Sequence, residues 1–149
     1  MSAFYFPEGL PIPVAEPNGL SAPYWDGLRR ERLMVQRSPS TGRYQFPPQW
    51  LCQDTLTFDP EWVEVAGRGR IFSWTRIWHP VHPALKEQGP YLVVIVELLH
   101  LDGVRMVGNL LGDPMRSVEI GAEVEIVYEH HHEADPPFTL AQWRLAGGD

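Results

Sequence analysis

The sequence predicts a mainly β protein with one short N-terminal helix, on three observations. Fifteen prolines and 13 glycines in 149 residues cut the chain into pieces too short for a helical bundle or a long coiled coil. From residue 70 onward the apolar stretches are rich in β-branched and aromatic residues and are separated by turn signals, the pattern of short strands. Ahead of them Ser21-Ala22-Pro23 reads as a helix start, with serine at the N-cap and proline in the first turn.

A chain of 17.0 kDa is one ordinary domain or a small domain with an appendage, long enough to bury a core without disulfides or metal. Hydrophobic residues at 44% and charged residues at 21% place it among globular proteins. The net charge of −7 disfavours a binder of phosphate backbones, whose affinity rests on a basic footprint. Cys52, the one cysteine, excludes an intrachain disulfide framework and fits a reducing cytoplasm.

Taken in order, residues 1–20 carry Pro7, Pro11, Pro13 and Pro17 among apolar side chains. They have neither the basic start nor the continuous apolar run of a secretory signal. They are expected to form an extended arm, with Phe4, Tyr5, Phe6, Leu10, Ile12 and Val14 either packing on their own domain or wrapping a partner. Tyr24, Trp25 and Leu28 follow Ser21 at helical spacing, and the helix is expected to end between Arg30 and Arg32. Leu33–Gln36 and Arg43–Phe46 read as two strands around the turn Ser38-Pro39-Ser40-Thr41-Gly42, the second stopped by Pro47-Pro48.

Five further strands are expected. Arg70 to Trp78 is the first, with Gly67 and Gly69 before it as bulge or bend positions. Tyr91 to His100 is the second; Asp102-Gly103 is a hairpin signal, and Val104 to Leu111 returns antiparallel. Asp113 to Arg116 opens a short helix or turn that Gly121 closes. Glu123 to Tyr128 alternates, with Val124, Ile126 and Tyr128 on one face, and Leu140 to Leu145 is the last. Five strands with a break between the third and fourth are what an OB barrel requires. The longest apolar run, at Tyr91–Val96, is too short to span a bilayer.

Ser38 and Thr41 stand at C-x2-C spacing, and Cys52 and Thr55 repeat it. That is the spacing of a zinc ribbon, although only Cys52 could supply a thiolate. Tyr44, Phe46, Trp50 and Leu51 are placed to supply apolar packing instead. Cys52 itself reads as a small buried hydrophobe rather than a nucleophile. His79 and His82 form H-x-x-H, which chelates from one helix face. Pro80 and Pro83 exclude a regular helix, so a loop between the first two barrel strands is expected, with Glu87 or His100 as third ligand in the alternative metal reading. His130-His131-His132 are expected to diverge along an extended chain and to be solvated or to meet a partner. OB barrels often bind oligonucleotides. Here seven acidic residues and one arginine between Glu119 and Asp149, with Glu133 and Asp135 in the loop after the fourth strand, argue against that use. Trp74, Trp78 and Trp143 therefore read as core rather than base-stacking platforms. The Glu123, Glu125 and Glu129 carboxylates are expected to be solvated, and no self-contained catalytic set is evident.

Residues 23–145 resemble the acyl-CoA-associated OB-fold proteins that carry an N-terminal rubredoxin-like zinc ribbon and accompany thiolase-like enzymes. The matching stretches are PYWDGLRRERLMVQR, the FPP at 46–48, EWVEVAGRGRIFSWT at 61–75, PYLVVIVEL at 90–98, GNLLG at 108–112 and IGAEVEIVYE at 120–129. The resemblance implies a helical hairpin-like N-terminal part, a ribbon and an OB barrel. The resulting division is an arm at 1–20, a helix with a degenerate ribbon at 21–60, and the barrel at 61–149. In that family four cysteines hold zinc at the ribbon positions; with Ser38, Thr41, Cys52 and Thr55 there, a ribbon-shaped remnant without metal is expected. The resemblance further implies a non-catalytic accessory subunit in a hetero-oligomer with a thiolase-like enzyme. That partner would perform thiolysis, acyl transfer or retro-aldol cleavage on a CoA thioester, as in steroid degradation, with acyl-CoA as shared ligand. Arg70, Arg76, His79, His82 and Lys86 are the candidate CoA or partner contacts, from charge and loop position. The alternatives are a stand-alone CoA-binding protein and a small metal-dependent enzyme built on His79 and His82. Nucleic acid and membrane are not expected partners, and the expected compartment is the cytoplasm.

Overall fold

The computed structural model describes residues 6–148; Phe4 and Tyr5 of the expected arm lie outside them. Among the described residues one α-helix, α1 (Ala22–Arg29), precedes eight strands, β1 (Leu33–Arg37), β2 (Tyr44–Gln45), β3 (Glu61–Val65), β4 (Arg68–Ile77), β5 (Tyr91–Leu98), β6 (Arg105–Asn109), β7 (Glu123–His131) and β8 (Phe138–Leu145). One helix thus stands where the resemblance implied a helical hairpin-like part. It begins beside Ser21, whose hydroxyl bonds the Glu16 carboxylate and makes no side-chain cap.

The strands form two sheets, a three-stranded one in the order β2-β1-β3 and a five-stranded one in the order β6-β5-β4-β7-β8. The second is the antiparallel sheet of an OB-fold. Its edge strands meet through a parallel bridge between Leu110 and Trp143, reinforced by the Leu111 N–H donating to Trp143 O at 2.8 Å. Between the third and fourth barrel strands the chain makes turns and no helix: Arg116 N–H closes on Asp113 O at 3.2 Å. The place of a plug is taken by α1, whose Leu28 is wholly buried in a core shared with Ile71, Leu92, Val94, Val96, Val124 and Trp143. Leu33 and Val35 of β1 belong to that same core, so helix, small sheet and barrel share one interior.

β3 was not expected as a strand. Its five residues pair along the whole of β1, Leu33 opposite Val65 to Arg37 opposite Glu61, and the chain passes from one sheet to the other between Val65 and Arg68. The β4 bulge falls at Phe72, between Ile71 and Ser73, rather than at the glycines. Gly67 and Gly69 instead permit close approach: a Cβ at Gly67 would lie 2.1 Å from Ile126 Cγ2, and one at Gly69 would lie 2.5 Å from Glu97 O. The Asp102-Gly103 turn has both residues in the left-handed region, φ +55° and +77°, as a type I′ turn demands. Asp102 also accepts the Tyr44 N–H at 3.1 Å, which ties the turn to the small sheet.

Candidate functional site

The small sheet carries two knuckles at the positions the sequence singled out. In the first, Ser38 N–H donates to Arg43 O at 2.8 Å and Gly42 N–H donates to Ser38 O at 2.8 Å; in the second, Cys52 N–H donates to Thr57 O at 2.9 Å and Leu56 N–H donates to Cys52 O at 2.8 Å. Two buried glutamines support the loop between them. Gln36 donates to Gln49 O at 2.9 Å and accepts the Gln49 N–H at 2.8 Å. Gln45 donates to Leu51 O at 2.8 Å and to Gln36 Oε1 at 3.0 Å, and accepts the Gln53 N–H at 2.8 Å. Full satisfaction is what makes such burial tolerable. Apolar replacement packing is therefore only part of the arrangement. Phe46 lies 5.6 Å from the Tyr24 ring and joins the core with Tyr44, whereas Trp50 is 54% exposed because the glutamines, not a hydrophobic cluster, organise its loop.

The donor set at the knuckles is one thiol and three hydroxyls. Structural zinc is held by thiolates, imidazoles or carboxylates, and serine and threonine hydroxyls are none of these, so the four ribbon residues do not fit the metal. Among the described residues no group of three His, Cys, Asp or Glu side chains is placed to hold an ion. His82 of the H-x-x-H pair spends its Nδ1 on the Ala84 N–H at 3.2 Å, capping a 3-10 turn at Pro83–Leu85.

The five candidate contacts do not form one cluster. Arg70 stands near the far end of β4, roughly 20 Å from Ile77 at about 3.3 Å per residue, and pairs with Glu123 at 3.5 Å. Arg76 donates to Pro114 O at 2.7 Å and Arg116 O at 2.6 Å and lies 5.4 Å and 5.8 Å from the centres of the Trp74 and Trp78 rings. It braces the turn after β6. His79 and Lys86 are exposed on the β4–β5 loop. Trp143 is core as expected and Trp74 packs against the core, but Trp78 is 54% exposed, since it lies at the strand's end beyond the barrel.

The histidine run is engaged within the chain rather than solvated as a set. His130 contacts Thr139 Oγ1 at 2.9 Å and Glu31 Oε1 at 3.0 Å. His131, on the opposite face, stacks on Phe138 at 4.6 Å with Phe6 edge-on at 5.1 Å. It lies 3.4 Å from the wholly buried Glu129 carboxylate, which also accepts from Gln142 at 3.3 Å. His132 stacks on His130 at 5.1 Å. Glu129, expected in solvent, is wholly buried, with Gln142 and His131 against its carboxylate; no local signal separates it from Glu125. Among the described residues, no helix is long and apolar enough to cross a membrane.

Residues 62–129 match the family described as ChsH2, C-terminal OB-fold domain, and residues 25–54 match ChsH2, rubredoxin-like zinc ribbon domain. A probable enoyl-CoA hydratase alpha subunit of Thermomonospora curvata is 36% identical over 83% of this chain and 36% of its own length. The 3-oxo-4,17-pregnadiene-20-carboxyl-CoA hydratase alpha subunit of Mycobacterium tuberculosis is 34% identical over 80% of this chain and 36% of its own length. The chain thus spans about a third of these two relatives. A DUF35 domain-containing scaffold protein of Methanothermobacter thermautotrophicus is 31% identical over 70% of this chain and 77% of its own. Among solved structures, a chain of the Ltp2-ChsH2(DUF35) aldolase superposes with a TM-score of 0.75 at 34% identity, over 91% of this chain and 99% of that one. A DUF35-family protein of unknown function from Sulfolobus solfataricus shares the fold at a TM-score of 0.59 and 16% identity, over 85% of this chain and 84% of that one.

Proposed function

We propose, since this chain belongs to the DUF35 family of ChsH2-type zinc-ribbon and OB-fold proteins, that it is an accessory subunit of a thiolase-like enzyme acting on an acyl-CoA. The observation that carries this reading is the likeness to a chain of the Ltp2-ChsH2(DUF35) aldolase, which extends over nearly all of both chains. In this reading the chain forms a hetero-oligomer in the cytoplasm and the partner performs the bond-breaking step.

The barrel supports such a division of labour. Its interior is filled by Leu92, Val94, Val96, Val124 and Trp143, so ligand contact falls to loops and outer surfaces. The β4–β5 loop presents the exposed apolar Trp78 and Val81 together with His79 and Lys86, the mixture of anchor and charge that suits a protein interface beside a phosphate-bearing ligand. Arg76 and His82 contribute by holding that loop and the facing turn in place, and Arg70 offers its charge near the opposite end of β4. A subunit of this kind helps its partner by positioning an active-site loop and excluding water from a CoA channel.

The test is affinity purification of the tagged chain from its native host with identification of what co-elutes. A thiolase-like protein at near-equal stoichiometry, with acyl-CoA turnover by the pair and not by this chain alone, is the expected result. Recovery of the chain by itself, folded, monomeric and binding CoA, would overturn the accessory reading in favour of a stand-alone CoA binder.

A further inference from the structure

The two knuckles keep the backbone of a metal site whose ligands they lack. Their hydrogen bonds repeat one another, and so does their left-handed position, Gly42 at φ +75° and Leu56 at φ +59°. Glycine adopts that conformation freely; leucine is strained there. Leu56 is also 71% exposed, so no packing of its own side chain compensates. Something else holds the second knuckle in register with the first.

Three of the four ribbon positions lead to two carboxylates. Thr41 Oγ1 donates to Asp54 Oδ2 across the gap between the knuckles, while the Ser38 hydroxyl lies 3.4 Å from Ser40 Oγ. The Thr41 hydroxyl, foremost, holds the Asp54 carboxyl below its usual range. On the other side Cys52 Sγ donates to Asp59 Oδ1 at 3.4 Å and Thr57 donates to the same oxygen, while the Thr55 and Thr57 hydroxyls lie 2.6 Å apart. Asp54 belongs to the second knuckle and holds the Thr41 ligand position of the first, a link between the same two hairpins that a tetrahedral ion joins.

We propose that Asp54 takes over the cross-linking part of zinc in this ribbon, so that the ribbon forms without metal while its knuckles retain a tetrahedral site that three thiols would reopen. The chemistry differs in one respect. A zinc site must strip protons from its ligands, whereas the Asp54 network uses the hydroxyl protons as its links.

Metal content of the full-length chain and of the combined Ser38→Cys, Thr41→Cys and Thr55→Cys variant, each purified with zinc present, tests this. The native chain should carry substoichiometric zinc and an unchanged melting temperature under chelator. The variant, with Cys52, should take up one equivalent and show the intense visible bands of tetrahedral thiolate coordination when loaded with Co2+. Stoichiometric zinc in the native chain, or a folded variant that ignores Co2+, would overturn the proposal. Should the variant fail to fold, Asp54→Ala in the native chain decides the point by hydrogen exchange. Protection at the Gly42 and Leu56 amides should fall about tenfold, the order of one lost hydrogen-bonded link, with the Val94 and Val96 amides unchanged. Undiminished protection at the knuckles would remove Asp54 from that role.

Discussion

Tyr24 shows how a single side chain carries the state of the whole interior. Its ring lies against Trp25 at 5.3 Å and Phe46 at 5.6 Å, and burial, with a further contribution from Tyr128, pushes its phenol up to about 12. An unfolded tyrosine ionises near pH 10. Between about pH 10 and 12 the folded chain therefore keeps a proton that the unfolded chain has lost, so this contribution to stability is whole below pH 10 and falls as pH rises through the interval. The loss amounts to about 2 to 3 kcal/mol over that range. Urea midpoints of the native chain should drop between about pH 9 and pH 11.5, and Tyr24→Phe should drop less; equal drops would assign the alkaline sensitivity to another group.

At the level of elements, α1 does the work that OB-folds usually give to a helix between the third and fourth strands. Its position depends on Gly27, where a Cβ would meet Arg32 O and Met34 Cγ, each at 2.5 Å. A glycine inside a helix costs about 1 kcal/mol in propensity, and here it allows the helix to lie directly against the chain entering β1. Leu28, one residue on, then reaches the shared core with no exposed surface. Leu28→Ala should cost about 2 to 5 kcal/mol, the range of a buried leucine that leaves a cavity, measured by urea denaturation. A loss below about 1 kcal/mol, typical of a surface change, would mean that α1 does not close the barrel.

For the whole molecule, the seam between β6 and β8 decides whether the sheet becomes a barrel. Gly108 lies where a Cβ would stand 2.8 Å from Trp143 Cδ1 and 2.9 Å from Ala141 O. Trp143 is wholly buried and has nowhere to retreat, so Gly108→Ala should destabilise by about 1 to 3 kcal/mol through overpacking. Because Leu33 and Val35 share the barrel's core, small sheet and barrel should melt together, in one transition by near-ultraviolet circular dichroism and by tryptophan fluorescence. Separate transitions would show two independent units.

Features that rest on local chemistry were legible in the chain before any fold was known. Proline and serine set the start of α1. Alternation set the inward face of Val124 and Ile126, and the Asp102-Gly103 pair set the turn before β6. The spacing of Ser38, Thr41, Cys52 and Thr55 located both knuckles, because a knuckle is made by a few consecutive residues. What depends on the far partner had to come from the tertiary structure. β3 became a strand through β1; Glu61–Val65 is a short piece whose alternation is half polar. Gln36 and Gln45 look like surface residues until the loop at 47–53 closes over them, and Arg76 looks like a free cation until the backbone at Pro114 and Arg116 meets it. Glu129 and Glu125 share one face of one strand, yet Glu125 pairs with Arg144 at 2.7 Å at the barrel's rim while Glu129 is buried beside Gln142 and His131. Propensity and spacing act over a few residues, whereas burial of a polar group is set by whatever the fold brings to the other side of it.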